Sequence, residues 1–504
     1  MTVDDHGAAA AQTAAIEAEV ERFLSGGPLG AVIGGRDVPS ANGEVFQTRD
    51  PGTGRVLAEV FAMQPEDVDR AVQAAREAFD RSPWAALSPA ERGVQLHRLA
   101  DAVEKHKPVL ARLESLDCGK LLAQAEGDIQ NFIDTMRWFT DLACHLHRRY
   151  PLPVARHEAW SVRRPWGPCG FIFPWNFPFL LLGWGISPAL AAGNTVVVKP
   201  AEDTPLTTIY LARLAREVGL PDGVINVVPG FGEVTGAAVA RHSGLRRMSF
   251  TGSPEVGRLV GEACGRNLVP VKLELGGKGA AVVFPSVDPA QTARKLVEAV
   301  TFHAGQVCCT ATRWLVHRSI RDRFVAEAVE RLRAIRIGHE LDAGAQMGPL
   351  VSEKQRRRVL GYIERGQQQG AEAVLEGGPA SVPGCDGYYV KPCLLTGSLD
   401  NIAARDEIFG PVAYLAEFDS EEEAVRMAND TDYGLANSVW TCDQEQAHRV
   451  AEALVAGNSW INAHNLFPLG VPYAGVGKSG VGGGVNSVET LFDYWRSLSV
   501  VRPL

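Results

Sequence analysis

The stretch Thr195-Val-Val-Val-Lys-Pro-Ala-Glu-Asp-Thr-Pro-Leu-Thr-Thr-Ile-Tyr-Leu-Ala-Arg-Leu-Ala-Arg-Glu-Val-Gly-Leu-Pro-Asp-Gly-Val-Ile-Asn-Val-Val228 carries the repeating pattern from which the fold is read. Residues 195–198 form a short Val-rich run closed by Lys199 and Pro200. Such a run, bounded by Pro or Gly, reads as a parallel strand buried on both faces. A helix follows over 205–218, with Thr204 as N-cap, Pro205 in the first turn and Gly219 as the stop. Residues 223–228 then give a second short apolar run.

The pattern extends in both directions. Upstream, Val68, Ala71, Val72, Ala75 and Phe79 fall at three- and four-residue spacing and predict an amphipathic helix over 65–80. Downstream, 248–250, 280–284 and 314–317 read as further short strands. The fold class is therefore α/β, with crossover helices between parallel strands. The alternation restarts after Gly276-Gly277, which places a domain boundary there. Two segments stand outside it. Residues 148–163 are extended and polar, and 492–501 read as a strand; the two could pair in an arm or an oligomer contact. The Ala-rich first 20 or so residues predict a mobile or helical extension.

Composition narrows the function classes. At about 100–200 residues per domain, 504 residues need two or three cores. Hydrophobic residues at 46% and charged residues at 22% exclude wholesale disorder. A net charge of −9 offers no basic footprint for nucleic acid or an anionic membrane. The most apolar stretch, 171–192, is broken by Pro174, Asn176, Pro178 and Pro188, so no membrane span is expected. Asp4 and Asp5 precede the first arginine, Arg22, so neither a secretory signal nor a transit peptide is expected. Nine cysteines, an odd count with no Cys-x-x-Cys pair, imply no disulfide framework, no metal site and a reducing, cytoplasmic setting.

Five motifs carry chemistry. In Gly305-Gln-Val-Cys308-Cys309, a thiol after a Gly-Gln turn can sit at a loop-to-helix junction, where a helix N-terminus favours the thiolate. In Lys272-Leu-Glu274-Leu-Gly-Gly-Lys278, a glutamate between leucines has a raised pKa and suits a general base. In Phe173-Pro-Trp-Asn176-Phe-Pro178, a rigid turn holds an amide that can serve an oxyanion. Lys199 and Glu202 lie just past a strand's C-terminal end, where open α/β sheets bind ligands. Phe250-Thr-Gly252-Ser253-Pro-Glu-Val256-Gly is a strand turning into a helix, whose amides could meet a pyrophosphate. Each motif alone has a plainer reading: a core thiol, a strand-edge glutamate, an Asx turn or ordinary turn chemistry.

Together they resemble the aldehyde dehydrogenase superfamily, in that family's order and from about residue 30 to the C-terminus. To the motifs above are added Gly193-Asn-Thr-Val-Val-Val-Lys-Pro-Ala-Glu202 and Glu407-Ile-Phe409-Gly-Pro411. The resemblance implies a Rossmann-like cofactor domain (26–143 and 164–276), an α/β catalytic domain (277–480) and a small β oligomerisation arm (144–163 and 481–504), after an extension over 1–25. It also implies a homodimer or homotetramer.

By the same resemblance, Cys308 is the nucleophile, Glu274 the hydrolytic base and Asn176 an oxyanion donor, giving an NAD-dependent, non-acylating enzyme that releases a free acid. Cofactor contacts fall on Phe173, Pro174, Trp175, Lys199, Glu202, Gly232, Phe250, Thr251, Gly252, Ser253, Val256, Leu275, Gly276, Glu407 and Phe409. Glu202 would accept from a ribose 2′-hydroxyl and repel a 2′-phosphate, which favours NAD over NADP. The substrate tunnel falls on Phe177, Leu181, Trp184, Val307, Cys309 and Phe467. That lining suits an aliphatic or aromatic aldehyde, while the Gly-Gln-Val-Cys run resembles the betaine and amino-aldehyde branch. Departures are Gly279-Ala280 where the family commonly has Ser or Asn and Pro, no Arg after Gly482, and Tyr494 for a second glutamate of some members. A CoA-acylating enzyme and a catalytically inactive binding or structural member are the alternatives; an intact Glu274 argues against the first and an intact Cys308, Glu274, Asn176 and Lys199 against the second.

Overall fold

The computed structural model describes residues 3–504, with side chains from residue 11 onward. Met1 and Thr2, the start of the expected extension, lie outside the described residues.

The strand reading of the opening stretch is carried by burial. Thr195–Lys199 is buried at every position, with Val196 and Val198 in one core cluster and Val197 in another. Alternate side chains thus serve opposite faces of one sheet, and both faces are covered. That sheet has eight strands. In spatial order they are Arg36–Val38, Ala31–Ile33, Ile225–Val227, Thr195–Lys199, Pro168–Ile172, Arg247–Thr251, Val271–Glu274 and Gly480–Val481. The middle five are parallel. Pro168–Ile172, first of the five in sequence, lies between the second and the fourth, so the winding reverses at its edge. The crevice beyond that reversal is where a doubly wound sheet binds its ligand.

A second sheet of seven strands follows, in the order Glu372–Leu375, Cys393–Thr396, Val412–Phe418, Ala311–His317, Gly279–Val283, Ala436–Trp440 and Asn458–Ile461. It is parallel except for its first edge strand. Here too Ala281 and Val283 enter one core and Ala280 and Val282 the other. A third, antiparallel sheet joins Arg149–Pro151, His157–Pro165 and Trp495–Pro503, so the two outlying segments of the sequence do pair.

Several local expectations shift. The last strand starts at Trp495, because Val488–Asp493 is a helix that takes in Phe492. The helix over 65–80 runs Pro65–Arg81 and buries Val68, Ala71, Val72 and Ala75. The helix expected from Pro205 runs Leu206–Glu217, with Pro205 rather than Thr204 at the N-cap. The Thr204 hydroxyl is buried without a hydrogen-bond partner among the described residues, and the Leu206 amide donates instead to Asp117 Oδ2 at 3.0 Å. The N-terminal extension is the helix Val3–Ser25. Val20 and Phe23 are buried, and the Phe23 ring lies 5.1 Å from Tyr210. Among the described residues no helix is long and apolar enough to cross a membrane.

Candidate active site

Glu274 closes the strand Val271–Glu274 and is paired with Thr251 on one side and Gly480 on the other. Leu275, Gly276 and Gly277 then cross to the second sheet. A Cβ on Gly276 would collide with the Glu407 carboxylate, and one on Gly277 with the Cys308 carbonyl. Cys308 itself lies on a loop between the tight turn Phe302–Gly305 and the strand Ala311–His317. That turn is strained: His303, Ala304 and Gly305 have φ of 47°, 52° and 73°. Gln306 ties it down, donating to the His303 carbonyl at 3.1 Å and accepting from the Val351 amide at 2.9 Å. Its own carbonyl accepts from Asn176 Nδ2 at 3.0 Å, which joins the aromatic turn to the cysteine loop.

No helix begins at Cys308, so the loop-to-helix expectation is corrected. The thiol is held below its ordinary pKa by the neighbouring Cys309 thiol first, then by Tyr473 against the opposing cost of burial. The Tyr473 hydroxyl lies 3.6 Å from Cys308 Sγ. Cys309 is different. Burial and the adjacent sulfur push its thiol far up, and Cys309 Sγ donates to Asn465 Oδ1 at 3.6 Å.

Glu274 and Cys308 line one narrow cavity with Phe173, Leu181, Trp184 and Tyr473. Its volume of about 30 Å³ has room for one or two waters. Among the described residues neither Glu274 oxygen has a hydrogen-bond partner, and burial raises the carboxyl well above its ordinary value, with Lys272 opposing. A buried, unpaired carboxylate beside a water-sized space and a low-pKa thiol is an arrangement for proton removal from water next to a nucleophile.

A wider pocket of about 410 Å³ opens outward, lined by Phe177, Val307, Phe467, Asn465 and His464 among others. Leu181 and Trp184 face the inner cavity instead. Cys309, expected on the tunnel wall, lines neither; it is buried beneath the loop. The rings of Trp184, Phe467 and Tyr473 touch one another, with centroids 5.5 to 5.7 Å apart.

Several of the expected cofactor residues stand at the C-terminal ends of the parallel strands, on the side of the crevice. Lys199 Nζ donates to Glu202 Oε2 at 2.7 Å, and the Gly232 amide meets Glu202 Oε1 at 3.4 Å. Burial alone would raise the Glu202 carboxyl, but Lys199 outweighs it and holds it below the ordinary value. Ser253 caps the helix Pro254–Arg266, accepting from the Val256 amide, and leaves that helix's positive end at the crevice beside Thr251 and Gly252. Val256 stands half-exposed on its first turn. Glu407 accepts from the Gly277 amide at 2.9 Å, and burial pushes its carboxyl up to about 7. Phe409, at φ 64°, stands edge-on to Trp175 with ring centroids 5.2 Å apart. Phe173 and Leu275 turn into the inner cavity. Phe250 belongs to the core beneath Gly252 rather than to the crevice wall, and Pro174 is half-buried in the turn. A glycine cradle, a helix N-terminus and an ion-paired carboxylate at one crevice fit an adenine dinucleotide.

A family model described as "Aldehyde dehydrogenase family" matches residues 38–500. The chain belongs to the aldehyde dehydrogenase family. It is similar to the mitochondrial benzaldehyde dehydrogenase of Antirrhinum majus, at 40% identity over 90% of this chain and 84% of that protein. Among solved structures, the NAD+ complex of an aldehyde dehydrogenase from Bacillus cereus superposes with a TM-score of 0.93 at 37% identity, covering 96% of this chain and 98% of that one. A betaine aldehyde dehydrogenase from Staphylococcus aureus in complex with NAD+ superposes with a TM-score of 0.94 at 33% identity, covering 97% of each chain. The chain is an NAD-dependent oxidoreductase of aldehydes.

In this aldehyde dehydrogenase the structure adds residues that the sequence reading did not single out. His464 lies 2.8 Å from the Cys309 carbonyl through Nε2 and 2.9 Å from Ser438 Oγ through Nδ1, which fixes the backbone beside Cys308. Tyr473, Asn465 and Lys272 complete the surroundings of Cys308 and Glu274. Lys272 opens the motif quoted for Glu274 but has no role there by spacing; Tyr473 sits in a glycine-rich loop and reaches Cys308 across 165 residues.

Proposed function

We propose that the chain oxidises an uncharged, slender aldehyde, aromatic or linear aliphatic, to the free acid, with NAD as hydride acceptor. The observation that carries this is the shared water-sized cavity of Cys308 and Glu274. The Cys308 thiolate adds to the aldehyde carbon. The resulting oxyanion accepts from the Asn176 amide hydrogen not used on Gln306, and from the Cys308 backbone N–H. Bound NAD supplies the acceptor for the hydride that leaves this carbon, and a thioester remains on Cys308. Glu274 takes a proton from water, the hydroxide adds to the thioester, and the acid departs as the thiolate returns. An unpaired base over a space for one or two waters favours hydrolysis over transfer to CoA.

Trp184, Phe467 and Tyr473 are in mutual contact and leave no space between these three rings for a trimethylammonium group, which supports a neutral substrate over a betaine aldehyde. Lys199, Glu202 and Gly232 would hold the adenosine ribose, Gly252, Ser253 and Val256 the pyrophosphate, and Glu407 and Phe409 the nicotinamide end. Residues 26–143 with 164–276 act as the cofactor domain and 277–480 as the catalytic domain, while 144–163 with 481–504 join subunits in a homodimer or homotetramer. The exposed outer strand Trp495–Pro503 supports that last role, and nine unpaired cysteines suit the cytosol. NADH formation over a panel of aromatic, aliphatic, amino and betaine aldehydes, with NAD and NADP in parallel, is the test. Highest kcat/KM for benzaldehyde or hexanal with NAD is expected; a preference for betaine aldehyde overturns the substrate reading.

A further inference from the structure

We infer that Tyr473 is a further catalytic residue, whose phenol O–H donates to Cys308 Sγ and holds the nucleophile as its thiolate. The inference rests on Cys308 as the attacking sulfur. The Tyr473 hydroxyl lies 3.6 Å from Cys308 Sγ, within reach for a hydrogen bond to sulfur. The phenol is buried, and a buried hydroxyl needs a partner. The sulfurs of Cys308 and Cys309 are the groups it meets. Cys309 Sγ is already directed to Asn465 Oδ1 and stays protonated, so the acceptor that gains negative charge is Cys308.

The direction of the bond follows from acidity. Burial and the adjacent sulfurs push the Tyr473 phenol far above its ordinary range, so its proton remains on oxygen while Cys308 ionises. A hydrogen bond to an ionised acceptor is stronger than one to a neutral thiol, and the difference appears as a lowered thiol pKa. The donor is also fixed in place. Tyr473 exchanges both backbone hydrogen bonds with Val485, at 3.0 and 2.8 Å, and its ring is wedged between Trp184 and Phe467. A donor so held loses little freedom when the thiolate forms.

The test is the pH dependence of inactivation by iodoacetamide, measured on the cofactor-free enzyme without aldehyde. Tyr473→Phe keeps the ring and removes only the donor. Its midpoint is expected to rise by about one pH unit, so alkylation at pH 7 slows about tenfold, with both enzymes reaching the same rate at high pH. Replacing Tyr473 by 3,5-difluorotyrosine, a stronger donor, is expected to lower the midpoint. NAD affinity by calorimetry reports that the fold is intact. Unchanged midpoints in both variants overturn the proposal. Peptide mapping of the alkylated residue separates this from a failure of the functional reading: a modified Cys308 with full aldehyde oxidation would overturn Cys308 as nucleophile, whatever Tyr473 does.

Discussion

Lys272 and Glu274 stand two residues apart on one strand, so their side chains leave the same face of the sheet, and both are buried. Lys272 Nζ donates to the Gly484 carbonyl at 3.1 Å and lies 5.5 Å from the centroid of the Tyr494 ring. Burial pushes its ammonium down to about 8, with Glu274 opposing, while the same ammonium draws the Glu274 carboxyl down against its own burial. Each charge is tolerable because the other is present.

Removing the cation should therefore disable the base without touching the nucleophile. In Lys272→Met the Glu274 pKa rises further, and a protonated carboxyl cannot take a proton from water. Thioester decay in single turnover is expected to slow about tenfold at pH 7 and to recover as pH rises. The initial burst of NADH stays near wild type. An unshifted pH profile would mean that Lys272 only supports the loop at Gly484.

Glu274→Gln removes the base outright. Here deacylation is expected to fall by about two orders of magnitude where the wild-type carboxyl is ionised, and raising the pH does not restore it, because an amide has no proton-accepting form. The burst persists, since the thiol and the oxyanion donors are intact. Rapid-quench measurement of bound acyl group follows it directly; a lost burst with unchanged deacylation would move Glu274 to the first half of the reaction.

The two adjacent sulfurs separate by environment. Cys308→Ala is expected to abolish turnover and leave NAD binding intact. The sequence treats Cys309 as a tunnel-wall residue, but its S–H, shared between Asn465 Oδ1 and Cys308, is the leading influence lowering the Cys308 pKa. Cys309→Ala should thus remain active with kcat/KM reduced several-fold and its acid limb moved upward. Steady-state rates over pH 6–9 decide it; an inactive Cys309→Ala with an active Cys308→Ala would exchange their roles.

What the sequence revealed, it revealed through local chemistry. Residues 196–198 are legible as strand because a segment buried on both faces must be apolar there. Glu274, Asn176 and Cys308 were legible because each stands in a short motif set by backbone geometry. Thr204 was misread as a cap because the acceptor for Leu206 N comes from Asp117, on a helix 89 residues away. Phe492 was read into a strand because a six-residue helix leaves too short a period to recognise. Tyr473 and Lys272 were silent because their roles depend on which buried group faces them, and that is decided by the packing of two sheets.

The Asp50, His339 and Glu340 side chains form a cluster away from the cysteine. Their donor atoms lie within 4.8 Å of one another, a spacing that a metal could use. The Leu341 amide, however, donates to His339 Nδ1 at 3.2 Å, which leaves the imidazole proton on Nε2, facing Asp50 and Glu340 at 3.3 and 3.2 Å. The Asp50 carboxylate is hydrogen-bonded to that nitrogen, while both Glu340 oxygens are buried and make no hydrogen bond among the described residues. Burial and the Asp50 carboxylate push Glu340 up to about 10, far above its ordinary value of 4.5. Because the folded state holds this proton more tightly than the unfolded chain, its contribution is complete below the unfolded value and drains away as pH rises toward the folded one. Glutamine has the same shape, no charge and an N–H for Asp50. Glu340→Gln is expected to match wild type near pH 4 and to unfold at a progressively higher temperature than wild type up to about pH 9, the gap reaching about 6 °C. Thermal unfolding across that range checks it, and a gap that stays constant or closes with pH would show that Glu340 is not the group that titrates.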